Sequence, residues 1–289
     1  GAAALFSTGG AAIKACSLGG WQVAGLRSFV AVFAFLALVR AARRIPRPRE
    51  WLVGAAYAAC LVAFVVSNKL TTAADAIFLQ SASPVYMLLL APLLLGERIR
   101  GRDLAFMAAI ACGIAAFFVD QLAGGDAAPA QATAPDVWLG RLVALGSGVA
   151  WAFTMLGLRW LGANKSPEES GAASAVLAGN VLAALACLAV AGPHVELGGR
   201  DLAIVLWLGV FQIALAYKLV TQAVTHVPAF EASVLLLVEP VFNPLWAFLV
   251  HGERPTAWAL VGGAILLAAT LVKTWFDARA RASAALTGP

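Results

Sequence analysis

Charge is what this sequence has least of. Asp, Glu, Lys and Arg make up only 12% of its 289 residues, while 62% are hydrophobic and the mean hydropathy is +0.86. A soluble domain carries about 25% charged residues, so water is excluded as the main solvent for this chain. Cysteine and histidine are scarce as well. Cys16, Cys60, Cys112 and Cys187 fall singly inside apolar stretches, and His194, His226 and His251 are scattered near stretch ends. With no CxxC pair and no Cys/His cluster, no metal or other cofactor is implied. Gly-rich pairs such as Gly9-Gly10, Gly19-Gly20 and Gly262-Gly263 occur without GxGxxG or P-loop spacing, so they read as close helix contacts and not as nucleotide loops. The formal charge of +5 sits in short loops, where a membrane protein carries it, and no nucleic-acid partner follows from it. No charged leader precedes the first apolar stretch, so no cleavable signal peptide is expected.

What the sequence has in abundance is apolar runs of about 17–23 residues, the length a helix needs to cross roughly 30 Å of hydrocarbon. They lie near 2–18, 22–39, 51–68, 73–95, 103–119, 138–158, 171–191, 202–224, 229–250 and 256–275. An all-α membrane protein with ten transmembrane helices is therefore expected. The longest break, residues 120–136, is rich in Ala, Gly and Pro and reads as a flexible linker. The expected organisation is a first five-helix unit at 1–120, a linker at 121–137, a second unit at 138–276 and a tail at 277–289.

Lys and Arg set the orientation, because positive loops stay in the cytoplasm. Arg40, Arg43, Arg44, Arg47 and Arg49 follow the second span, Arg98, Arg100 and Arg102 follow the fourth, and Lys273, Arg279 and Arg281 lie at the C-terminal end. All fall on one side, whereas the linker has neither Lys nor Arg. Both termini are expected in the cytoplasm, with the chain multi-pass in a bacterial inner membrane.

The two halves resemble each other. Residues 75–98, DAIFLQSASPVYMLLLAPLLLGER, align without a gap on 231–254, EASVLLLVEPVFNPLWAFLVHGER, so that Asp75 meets Glu231, Pro84 meets Pro240 and the two Gly-Glu-Arg triplets coincide. A weaker match puts Phe6 to Lys14 over Trp151 to Arg159. Five spans per repeat is an odd number, so the second copy enters from the opposite side. The fold class is thus two inverted five-helix repeats, an architecture that places a solute site between the halves near the midplane and supports alternating access.

On the paired segments Ser83-Pro84 to Arg98 and Glu239-Pro240 to Arg254, and on Trp151 early in the second repeat, the chain resembles the drug/metabolite transporter superfamily and its EamA-type ten-helix members. The first repeat departs from that pattern, with Phe6 where the second has Trp151. The resemblance covers almost the whole chain and is closest to exporters of amino acids, including aromatic ones. It implies a secondary transporter with a small-molecule substrate, an amino acid or related metabolite. Oligomeric state is not legible.

Polar groups inside hydrocarbon are costly unless paired, so each is a candidate. Glu239, Asn243 and Trp246 recur at helical steps and are expected on one face looking into the bundle. Ser83 and Met87 are the first-repeat counterparts of Glu239 and Asn243, with Gln80 one turn away on the same face. Glu239 either binds a substrate ammonium or acts as a proton site; alternatively it pairs with Lys218 or with a neighbouring helix. Lys218 would meet a substrate carboxylate or snorkel to the headgroups. Arg27 is expected near the outer surface as a structural partner or lipid contact. Trp151 and Phe6 offer aromatic walls for an apolar solute. Gln212, Tyr217, Asn180 and Thr154 read as interhelical hydrogen-bond partners, and Asp75 and Glu231 as acids at helix starts. Pro84 and Pro240, mid-span, are expected to kink their helices and are candidate hinges. An exporter of apolar cationic drugs is the alternative. A membrane-embedded enzyme would need a nucleophile with a base or paired carboxylates, which this inventory does not supply.

Overall fold

The computed structural model describes residues 1–95, 101–122, 133–162, 171–192, 196–223 and 237–286. Among these residues every regular element is helical. In chain order they are α1 (Ala2–Ser7), α2 (Gly9–Ala15), α3 (Gly20–Leu38), α4 (Pro48–Leu70), α5 (Ala73–Gln80), α6 (Ser83–Leu95) and α7 (Gly101–Leu122). There follow α8 (Val137–Gly162), α9 (Ala172–Ala191), α10 (Gly199–Leu206), a π-helical stretch (Trp207–Leu215), α11 (Ala216–Ala223), α12 (Val238–His251) and α13 (Ala257–Leu286). A short 3₁₀ turn, Arg40–Arg43, links α3 to α4.

Eight segments among the described residues are long and apolar enough to cross a membrane: Gly20–Leu38, Pro48–Leu70, Ala73–Leu90, Gly101–Val119, Val137–Gly162, Ala172–Ala191, Gly199–Leu219 and Ala257–Arg279. The chain is a multi-pass membrane protein. The other two expected spans appear as shorter helices. The first is divided into α1 and α2 at Thr8, whose hydroxyl and amide both donate to the Leu5 carbonyl and draw the turn tighter than α geometry. The ninth is represented by the 14 residues of α12, and its expected beginning at 229–237 falls mostly outside the described residues, as does Glu231.

The expected proline kinks take another form. The fourth span breaks at Ser81 and Ala82, where the Ser81 hydroxyl turns back to the Ile77 carbonyl, and Pro84 becomes the second residue of α6. Pro240 is the third residue of α12. In a first turn the missing N–H breaks no intrahelical bond, so neither proline kinks a helix from within. Pro244 is the proline that lies inside α12.

Helices of the first half pack mainly on helices of the second. α4 lies against α8 and α9, α3 against α9 and the π-helical stretch, α7 against α13, and α1 and α2 against α12. The α4–α9 approach is close enough to require glycine on both sides. A Cβ on Gly54 would sit 2.9 Å from the Gly179 nitrogen, and one on Gly179 would sit 2.7 Å from the Gly54 oxygen. Phe33, Leu185 and Leu249 instead point outward, about 60% exposed each (59%, 66% and 61%), as lipid-facing side chains do. The expected tail is largely helical, because α13 runs on to Leu286. Of the expected linker, 123–132 lie outside the described residues; at its end Ala134 is buried and Asp136 donates its amide to the Leu70 carbonyl.

Candidate functional site

The two ends of the bundle differ. At the end holding 133–136, the linker end, the ends of α2, α4, α8, α10 and α12 are joined by buried polar contacts. Lys14 Nζ lies 2.9 Å from Glu253 Oε1, with side chains 1% and 2% exposed. The same ammonium donates to the carbonyls of Thr71 (2.7 Å) and Thr133 (2.6 Å), while Glu253 Oε2 accepts the Ala73 amide at 2.9 Å, at the start of α5. Gly252 makes this possible, since its left-handed backbone (φ +67°) ends α12 and turns the next residue inward. Asp75 Oδ2 receives Arg141 Nε at 2.7 Å and the Thr71 hydroxyl at 3.0 Å, while Thr72 caps α5 through the Asp75 amide. Lys69 donates to the Cys16 carbonyl, and Asp201 accepts both the amide and the hydroxyl of Ser17. Asp75 thus serves as an ion-pair partner besides opening its helix.

A cavity of about 490 Å³ occupies the other half, toward the end that carries the Arg40–Arg43 turn. Its polar wall includes Arg27, Gln80, Ser83, Arg159, Gln212 and Glu239. Its aromatic wall comprises Phe6, Tyr57, Phe64, Trp151 and Tyr217. The rings of Phe6 and Tyr57 both meet Tyr217 edge to face, with centroids 5.4 and 5.5 Å apart. Such offset aromatic contacts fix the rings and leave a stiff apolar surface.

Five of the seven expected binding residues line this cavity: Gln80, Ser83, Met87, Trp151 and Glu239, together with Pro84 and Pro240. Gln80 is held in place, its amide nitrogen donating to Ser147 Oγ at 2.7 Å and touching Cys60 Sγ at 3.4 Å. Glu239 is half-buried and makes no hydrogen bond or ion pair to another described residue, Lys218 included. Lys218 and Asn243 do not line the cavity. Lys218 follows Tyr217 by one residue, a turn of about 100° around the helix, and points elsewhere. Asn243 is fully buried against α2, where a Cβ on Gly10 would overlap its Oδ1. Trp246, one step further, donates to the Ser7 hydroxyl at 3.1 Å.

Of the two readings offered for Arg27, structural partner or lipid contact, the structure bears out the first. It is 1% exposed and faces no lipid. It stands in the cavity wall, with Nη1 donating to Gln212 Oε1 at 3.3 Å and Nη2 to the Leu61 carbonyl at 3.0 Å. Gln212, expected as an interhelical hydrogen-bond partner, is one to Arg27, and both it and Tyr217 also line the cavity. Tyr57 belongs to no sequence pattern that marks a site; a tyrosine at the middle of an apolar run is the available signal.

The family described as the EamA-like transporter family matches residues 1–119 and 138–275, nearly the whole chain. Fourteen solved protein chains are similar in fold. One of them, described only as "Crystal structure of protein", has a TM-score of 0.62 and 21% sequence identity, covering 96% of this chain and 95% of its own. No functionally curated protein matches.

Proposed function

The chain belongs to the EamA-like transporter family of the drug/metabolite transporter superfamily, and from that premise we propose that it exports amino acids with aromatic or other apolar side chains. It does so as a ten-helix carrier of two inverted repeats, by alternating access across a bacterial inner membrane, with both termini in the cytoplasm. Members of this family are transporters of small solutes, so the chemistry required is binding and release, without bond making.

The observation that carries the reading is the cavity. Its 490 Å³ falls in the roughly 300–1,000 Å³ range of small-molecule sites, and it sets the Glu239 carboxylate beside a fixed aromatic surface. A substrate ammonium on Glu239 with its side chain against Phe6, Tyr57 and Tyr217 uses both. Alternating access draws support from the asymmetry of the bundle, with the solute space at the arginine-rich end and buried ion pairs across the linker end. The helix contacts are also reciprocal. α1 and α2 meet α12 as α8 meets α5 and α6, and α4 meets α8 as the π-helical stretch and α11 meet α1. This is the pattern that a two-fold relation between halves produces.

The test is counterflow into proteoliposomes with labelled amino acids and a cationic dye, with and without a pH gradient. Saturable amino-acid accumulation supports the reading, and indifference to the gradient identifies facilitated exit. Movement of the dye alone replaces it with an exporter of apolar cations, a reading that the uncompensated Glu239 carboxylate favours. Movement of neither withdraws the substrate class.

A further inference from the structure

The sequence offered Lys218 for a substrate carboxylate, and Lys218 is not in the cavity wall. We infer that Arg27 takes that role: its guanidinium is the receptor for the carboxylate of the transported amino acid, opposite Glu239, and makes the site selective for zwitterions over simple amines. This inference rests on the reading of the cavity as an amino-acid site.

Three observations support it. First, the charge is buried and uncompensated. Arg27 is 1% exposed, its two named acceptors are the neutral oxygens of Gln212 and Leu61, and no carboxylate lies within ion-pair distance among the described residues. A buried charge without a counter-ion is strongly unfavourable.

Second, it keeps a free donor. Arg27 Nε has no hydrogen-bond partner, although the side chain is fully buried in the wall of a solute-sized space. Arginine presents its donors in a fork that matches a carboxylate, and here one edge of the fork is occupied by protein while Nε is left over.

Third, the opposite charge is present but not used. Glu239, from α12, lines the same cavity without pairing to Arg27. Arg159, the other cation in the wall, is exposed, so Arg27 is the buried cation here. A buried cation and an anion that share one cavity without neutralising each other are complementary to a molecule carrying both charges. The aromatic rings of Phe6, Tyr57 and Tyr217 then serve the uncharged part of that molecule. Gln212 is the positioning residue, since its side-chain oxygen holds Nη1.

The experiment is exchange of labelled L-phenylalanine in proteoliposomes, with unlabelled L-phenylalanine, phenethylamine and 3-phenylpropionate as competitors. For the wild type, removing the carboxylate is expected to weaken competition at least about tenfold, the effect of losing one charge-assisted hydrogen bond. In Arg27→Gln, phenylalanine and phenethylamine are expected to compete equally, while Arg27→Lys retains the preference. Equal competition by phenethylamine in the wild type overturns the assignment without any variant, so it does not depend on how well Arg27→Gln folds. An Arg27→Gln protein that keeps the wild-type preference also overturns it. A wild type that exchanges no amino acid overturns the substrate reading and this assignment with it, whereas the two preceding results overturn the role of Arg27 alone.

Discussion

Lys14 and Glu253 form an ion pair 2.9 Å long at a point where neither side chain reaches solvent, and the pair joins the first span of the chain to the end of α12. Its ammonium also holds the ends of α4 and of the 133–136 stretch through their carbonyls. At the linker end this one cation thus ties together three segments, beside the separate Arg141–Asp75 pair.

Breaking this pair from one side leaves a buried charge unpaired, which costs about 3–5 kcal/mol, whereas replacing both charges is close to neutral. Glu253→Gln and Lys14→Met are each expected to lower the unfolding temperature in detergent by several degrees. The double variant is expected to recover most of the loss. Equal destabilisation by the double variant and the sum of the singles would show that the two residues act separately.

Asp75 has two jobs, and they differ in size. Losing the Thr72 cap on its amide should cost about 1 kcal/mol, while Asp75→Asn leaves Arg141 buried without its carboxylate and should cost about 3–5 kcal/mol. Thermal unfolding of Thr72→Ala and Asp75→Asn side by side checks the order.

Two glycines separate packing from backbone effects. Gly179→Ala forces a methyl into α4 and is expected to destabilise by about 1–3 kcal/mol. Gly146 is exposed in α8, and beyond its chain neighbours and the backbone of its own helical turn nothing lies within 4 Å of the point an added methyl would occupy. Gly146→Ala is therefore expected to stabilise by roughly 0.5–1 kcal/mol through its backbone alone. Opposite shifts in unfolding temperature are the expected result.

Glu239 and Asn243 stand one helical turn apart and should behave differently in exchange assays. Glu239→Gln removes a charged contact to substrate, expected to raise KM about tenfold or more. Asn243→Ala is expected to leave KM within about twofold, because it removes a buried amide whose Oδ1 and Nδ2 have no partner. A KM change of equal size in both variants would put Asn243 back in the site.

Helix positions were legible because apolar runs and basic loops are set by the bilayer, a solvent with simple rules. Which residues face the cavity was legible only in part. Glu239 and Asn243 share a helical face, as their spacing indicates, but the cavity ends between them: four residues advance about 6 Å along the axis, and at that depth α2 has closed in on Asn243 through Gly10. Periodicity reports angle around a helix, not depth along it. That Arg27 lines the cavity was not legible, for the reverse reason. Seven residues from the Gly20 end of α3 are about 10 Å, within reach of headgroups for a long side chain. What holds it inward is Gln212, 185 positions away, on a π-helical stretch that no local pattern announces.

The bonds that close the linker end also impose an order in time. Asp75 needs only Arg141, 66 positions on, whereas Lys14 must wait for Glu253, much further along the chain. At about 5–20 residues per second, ribosomal synthesis leaves Lys14 without its carboxylate for on the order of ten to fifty seconds. Throughout that interval its charge is best kept at the water interface. The helix that carries Lys14 is therefore locked late, and its buried charge is neutralised only by the arrival of Glu253 after α12.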